Sequence, residues 1–326
     1  MTLRMPAEWE PHEATWLAWP HERADWPGKF APIPWVYGDI VKRLARVEKV
    51  RIIVEDAAHE KSVRRVLAKC AADLSAVEFF HWPTNRSWTR DYSPIFVRHP
   101  SGEVAITNWL FNGWAKYDNW RDDNRIPGRV ARKLKVAHEF EAGIVLEGGS
   151  IDVNGAGLLL TTEECLLSEH IQVRNPGLGR ADLERYFGEY LGIHTTIWLK
   201  QGIAGDDTHG HIDDVARFVD EKTIVTVVDP LLRENLKLLK RTGLRVVTLP
   251  MPAPVYFDGQ RLPASYANFY IANGLVLVPT FNDPNDRVAL NTLAKLFPTR
   301  EVTGIYCGDL VLGLGTLHCM TMQQPA

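Results

Sequence analysis

The chain has 326 residues, 45% of them apolar and 24% charged, with a formal net charge of −3 and four cysteines. This is the composition of a globular chain able to bury one large core or two ordinary ones, and scattered Lys and Arg with little net charge give no footing for nucleic acid or an acidic membrane surface. No apolar run reaches the roughly 20 residues of a membrane span, the start Met1-Thr2-Leu3-Arg4-Met5-Pro6 has no signal-peptide core, and Cys70, Cys165, Cys307 and Cys319 suit neither a zinc site nor a disulfide framework, so a cytoplasmic protein is expected.

Ala14 to Trp19 reads as a strand, Asp39 to Val47 as helix, Val50 to Val54 as strand and Glu60 to Lys69 as helix. Pro94 to Thr107 reads as a hairpin turning at Ser101-Gly102. Lys116 to Gly128 reads as a loop long enough to be a lid. A second hairpin spans Ser150 to Thr161 around Asn154-Gly155, followed by a helix from Ala181 to Tyr190 stopped at Gly192 and a strand from Thr195 to Leu199. A third, Val215 to Val228, turns at Asp220-Glu221-Lys222; helix Leu231 to Lys240 and strand Arg245 to Leu249 follow, then a loop from Pro250 to Pro254. The fourth, Asn268 to Pro279, turns at Asn273-Gly274 and leads to helix Ala289 to Leu296 and strand Glu301 to Ile305. The chain ends in a Gly-punctuated apolar segment, read as a strand, that carries Cys319.

Hairpin, helix and strand thus repeat at a spacing of roughly 50–65 residues, the signature of a repeat architecture. Pairing of the strand around Cys319 with Ala14 to Trp19 would supply a fifth hairpin and close a ring without an exposed edge. No linker divides the chain, so residues 1–326 are expected to form a single α/β domain.

Polar clusters precede the hairpins: Asp91 the first, Glu147 the second, His211 and Asp213 the third, while Cys319 belongs to the fifth. Equivalent corners of a cyclic repeat converge, which would bring these residues together. A thiolate is a nucleophile, an imidazole a general acid and base, and Glu147 could orient that imidazole. Asp91 and Asp213 repel each other unless a cation lies between them, and a planar guanidinium offers forked N–H groups that fit carboxylates. The implied substrate is a small cationic guanidino compound attacked at its central carbon. Tryptophans near these loops, among them Trp88 and Trp114, suggest an aromatic-walled pocket. The other cysteines read as packing residues, and His209 and Asp214 as supporting ones.

Met5-Pro6-Ala7-Glu8-Trp9-Glu10-Pro11-His12, Trp88-Thr89-Arg90-Asp91, Glu147-Gly148-Gly149, Gly210-His211-Ile212-Asp213 and His318-Cys319-Met320-Thr321 together resemble the agmatine deiminase and bacterial peptidyl-arginine deiminase family, nearly end to end. The resemblance implies a five-bladed, pseudo-symmetric α/β propeller and a deiminase without metal or organic cofactor. It makes Cys319 similar to the family nucleophile and His211 to its acid and base. Asp91 and Asp213 match the guanidinium-binding carboxylates, Glu147 the acidic residue beside the histidine, and Trp88 a pocket-wall aromatic. The chain departs from agmatine-specific members at His209, where they usually carry an acid, and near Thr316. Agmatine is the expected substrate; free arginine would need a cation for its α-carboxylate, for which Arg90, Arg121 and Arg125 are available, and peptidyl-arginine would need an open groove.

The competing readings are a zinc amidohydrolase built on the His209-Gly210-His211 pair, an amidinotransferase, and a non-catalytic guanidinium-binding protein. A homodimer is the default assembly.

Overall fold

Gly274 takes a left-handed φ of 70°, which a Cβ disfavours, and so turns Tyr270–Ala272 antiparallel onto Leu275–Thr280 in a computed structural model that describes residues 3–326. The chain then runs through helix Asn285–Leu296 and returns as Glu301–Tyr306, parallel to Leu275–Thr280. Three other sheets repeat this order. Ile95–Arg98, Val104–Leu110 and Glu139–Val145 form one; Asp152–Val153, Leu158–Thr162 and Thr195–Leu199 the next; Ala216–Asp220, Thr223–Val227 and Arg245–Leu249 the third. In each, the first two strands are antiparallel and the third is parallel to the second.

Apart from the two-stranded ribbon of Tyr256–Phe257 and Gln260–Arg261, the remaining sheet draws on both ends of the chain. Met322–Pro325 pairs antiparallel with His12–Ala18, and helix Ile33–Leu44 leads to Lys49–Val54, parallel to His12–Ala18. An additional helix, Ala57–Lys69, and strand Val77–His81 extend this sheet alone. The terminal pairing and the hairpin-helix-strand unit read from the sequence are therefore both present, in five separate sheets rather than one closed sheet.

The helices lie where apolar spacing dictates. Ile33–Leu44 buries Ile33, Tyr37, Ile40, Val41 and Leu44, one face at helical period. Phe187–Leu191 continues the helix Arg180–Tyr186 as a π turn, and the helix stops at Gly192 with φ 72°, as the sequence predicts. No helix among the described residues is long and apolar enough to cross a membrane.

Two expectations are corrected. Lys116 to Gly128 is not one loop, because helix Ile126–Leu134 begins inside it. Pro127 sits in the first turn, where its missing N–H costs nothing, and Ile126, Pro127, Val130 and Ala131 make a buried face. The terminal strand is only Met322–Pro325, and Cys319 lies in the turn before it. Its apolar approach is a 3₁₀ turn, Leu310–Gly313, followed by left-handed Leu314. The glycines there serve close packing: a Cβ on Gly313 or Gly315 would come 2.7 or 2.9 Å from the Trp88 ring.

Candidate active site

Each of the five sheets is entered through a polar corner. Asp91 lies in the short helix Thr89–Tyr92 before Ile95–Arg98, and Glu147 before the turn Gly148–Ser150 that leads to Asp152–Val153. His211 caps Ile212–Asp214, which contains Asp213 and leads to Ala216–Asp220. Asn268 precedes Tyr270–Ala272, and Cys319 precedes Met322–Pro325. The sequence reading finds four of these corners and misses Asn268, which it takes as the first residue of the fourth hairpin.

The corners touch. Asn268 Oδ1 accepts from Thr316 Oγ1 at 2.7 Å and from the backbone N–H groups of His318 and Cys319 at 3.0 and 3.4 Å, fixing the turn that carries Cys319. Its Nδ2 donates to Cys319 Sγ at 3.1 Å, and Sγ lies 3.6 Å from Asp213 Oδ2. Asp91 accepts the Gly149 N–H on Oδ1 and the Trp114 indole N–H on Oδ2, both at 2.9 Å. His211 Nδ1 stands 3.8 Å from Asp91 Oδ1, and its Nε2 stands 3.5 Å from Glu147 Oε2. Neither contact is a full hydrogen bond, and both ring nitrogens are buried without a partner among the described residues. Glu147 is gripped by Arg174 Nε at 3.0 Å, and Arg174 is itself held by the carbonyls of Gln172 and Thr208.

This geometry sets the protonation states. Burial pushes the Asp91 carboxyl up to about 6, against the pull of His211 and with help from Asp213 and Glu147. Burial works against a charged His211, but Asp91 and the contacts with Cys165 and Glu147 hold its imidazole well above its ordinary value. Burial would also raise Glu147, yet Arg174 and then His211 keep it below the usual carboxylate range. Burial, followed by Asp213, Asp214 and Asp91, raises the Cys319 thiol well above its ordinary value. The resting site thus pairs a neutral thiol with an imidazolium.

Cys319, Asp91 and Trp88 line a cavity of about 730 Å³, together with Trp114, Asp25 and Asp207. Trp88 donates its indole N–H to Asp25 at 3.2 Å. His211, Asp213 and Glu147 are buried beside these groups and do not line the cavity. Of the cations considered for an α-carboxylate, Arg90 is buried against the His318 carbonyl and Gln323, whereas Arg121 and Arg125 bind the Asp118 carbonyl and Asp122 at the surface. None of the three lines the cavity.

Cys165, read as a packing residue, has its sulfur beside His211 and Glu147, all three donor atoms within 4.8 Å of one another. Asp214 joins Asp213 and Cys319 in a second such buried group. His209 belongs to neither; it takes a left-handed φ of 62° and its Nδ1 stands 3.8 Å from Glu164 Oε1.

Residues 4–325 match the family described as Porphyromonas-type peptidyl-arginine deiminase. An agmatine deiminase of Pseudomonas syringae pv. syringae is 34% identical, over 99% of this chain and 96% of its own length. Among solved structures, a cysteine-to-serine variant of C. jejuni agmatine deiminase with substrate bound superposes with a TM-score of 0.91 at 31% identity, covering 100% of this chain and 97% of that one. A putative arginine deiminase from Porphyromonas gingivalis gives a TM-score of 0.87 at 37% identity, covering 99% of this chain and 98% of its own.

Proposed function

The chain belongs to the Porphyromonas-type peptidyl-arginine deiminase family, and from that premise we propose that it is an agmatine deiminase, hydrolysing agmatine to N-carbamoylputrescine and ammonia. The charge of the cavity carries this reading. Among the described lining residues, Asp25, Asp91, Asp207 and Asp258 are carboxylates and Arg86 is the one Lys or Arg, already held by Asp25 and stacked 4.1 Å from the Tyr117 ring centroid. Such a cavity suits a substrate cationic at both ends; an arginine α-carboxylate would enter it without a free partner.

Asp91 and Asp213 hold the guanidinium over Cys319. The arriving cation offsets the carboxylates that keep the thiol neutral, so the thiol proton leaves to solvent as the substrate settles. The thiolate bonds to the guanidinium carbon, His211 gives its proton to one nitrogen, and the C–N bond breaks to release ammonia. His211, now neutral, takes a proton from water as the water oxygen bonds to the thiouronium carbon. The C–S bond then breaks, the adduct's hydroxyl proton leaves to solvent as its oxygen becomes the ureido carbonyl, the thiolate is restored, and the ureido product leaves. Arg174 keeps Glu147 ionised beside the imidazolium that begins the cycle.

The finer architecture belongs to the same proposal: the five sheets are blades of a five-bladed α/β propeller forming a single catalytic domain, with the five polar corners at its axis. The contacts that link those corners support it.

Agmatine, free arginine and an arginine peptide assayed side by side for ureido product test the substrate. Turnover of agmatine well above the other two is expected; turnover of the peptide alone would overturn the reading.

A further inference from the structure

The motif Met5 to His12 takes no part in the chemistry above, yet it delivers Glu8 into the core beside the nucleophile turn. Glu8 is buried, accepts the Ile271 N–H at 2.7 Å, and pairs with Arg217 at 3.0 Å and Arg90 at 3.4 Å. Between Glu8 and Asp213 stands the buried imidazole of His318, with Nε2 2.8 Å from Glu8 Oε2 and Nδ1 2.7 Å from Asp213 Oδ2. A ring that faces a carboxylate through each nitrogen satisfies both contacts with a hydrogen on each. Asp213 Oδ2 is thereby engaged, while Oδ1 is buried with no partner among the described residues. A buried, unpaired carboxylate oxygen is costly, and its persistence points to a donor that arrives from outside.

We propose that Glu8 and His318 are positioning residues that keep Asp213 ionised and leave its Oδ1 free to receive the incoming guanidinium. The proposal rests on the deiminase reading for the identity of that cation. The balance of charge around Asp213 agrees with it. Burial opposes its ionisation, and His318, then His211 and Arg217, bring it below its ordinary range. Asp91, Asp214 and Cys319 face the same space and would become harder to ionise beside it. On the far side, Arg217, then His318 and Arg90, hold Glu8 charged despite its burial.

Two substitutions separate position from bulk. His318→Asn places its amide N–H where Nδ1 stands and keeps the bond to Asp213; His318→Gln reaches Glu8 and loses Asp213. Each is introduced into the full chain carrying Cys319→Ala, and binding of guanidinium ion is read by calorimetry from about pH 5 to about pH 8. The expected result is binding roughly tenfold weaker in His318→Gln, with its acidic fall-off moved to higher pH because Asp213 protonates more easily, and binding within about threefold of the parent in His318→Asn. Equal losses in the two variants, or a pH profile that does not move, would overturn the proposal. Should His318→Gln fail to fold, His318→Leu replaces it, likewise without a donor to Asp213, with the same upward shift expected and an unmoved profile counting against the relay. Binding is read without turnover, so a wild-type protein inert toward agmatine would refute the deiminase reading and leave this test intact.

Discussion

Gly149 faces His211 so closely that a Cβ on the glycine would stand 2.6 Å from the imidazole Nδ1. The same atom would lie 2.8 Å from Asp91 Oδ1 and 3.1 Å from Asp213 Oδ2. The glycine is required for space at the point where three functional side chains meet. Gly149→Ala is therefore expected to push His211 and Asp91 apart and lower kcat/KM by about 100-fold, the scale of an ångström's misplacement in an active site. Steady-state kinetics on agmatine checks this; a loss under about threefold would show that the corner yields.

The acidic limb of the pH profile follows from Asp91, beside that glycine. Asp91, pushed up to about 6, must be ionised to hold a guanidinium, so kcat/KM should fall as pH drops through about 6. Trp114 opposes the rise through its bond to Asp91 Oδ2. Trp114→Phe should move the acidic limb to higher pH. An acidic limb near the ordinary aspartate range, roughly 4, would separate Asp91 from substrate binding.

One Asn268 amide reaches both the Cys319 sulfur and the turn that carries it. Asn268→Asp preserves the acceptor to Thr316 and the backbone but replaces the N–H donor to sulfur with a charge that disfavours the thiolate. Turnover should drop by at least about 100-fold while KM changes little, since among the described residues the amide makes no hydrogen bond to Asp91 or Asp213. The rate of Cys319 alkylation by iodoacetamide should fall in parallel; an unchanged alkylation rate would contradict this role.

The repeat was legible because its turns are chemical. Asn154-Gly155, Asn273-Gly274 and Ser101-Gly102 mark hairpins present in the structure, and a thiol, a histidine and carboxylates marked four of five corners. Helix Ile126–Leu134 was hidden because Pro127-Gly128 reads as a breaker until its place in the first turn is known. The run before Cys319 looked like a strand because it is apolar, whereas its apolarity answers to Trp88 and Trp26 above Gly313. The partners of Asn268, Trp114, Arg174 and Glu8 were not legible, since each acts on a residue that is distant in sequence: Cys319, Asp91, Glu147 and His318.

Arg174 and Glu147 form an ion pair with neither side chain exposed. Removing one partner strands the other, at a cost of roughly 3–5 kcal/mol. Arg174→Gln should lose stability of that order at neutral pH in chemical denaturation. Glu147 titrates below its ordinary range in the folded protein, so the pair's contribution is present above the unfolded carboxylate value and is lost as pH falls through the folded one. The gap between wild type and Arg174→Gln should accordingly narrow in acid. A gap independent of pH would mean that the arginine acts by packing alone.

The last strand and the nucleophile beside it make separable contributions. Met322–Pro325 completes the first sheet against His12–Ala18, Gln324 accepts the Trp16 indole N–H at 2.9 Å, and the Ala326 N–H reaches the Pro11 carbonyl at 2.9 Å. Deleting residues 322–326 uncovers one edge of His12–Ala18 and removes the buried Met322 side chain, a loss on the order of 3–5 kcal/mol from its burial and several hydrogen bonds. The same deletion frees the Cys319 turn, so activity should vanish together with stability. Cys319→Ala should abolish turnover, by at least about 10⁴-fold, while leaving the melting temperature within a few degrees of wild type and binding of agmatine measurable. A truncated chain as stable as the full one would show that the terminal pairing is dispensable, and turnover in Cys319→Ala would remove the thiol from the mechanism.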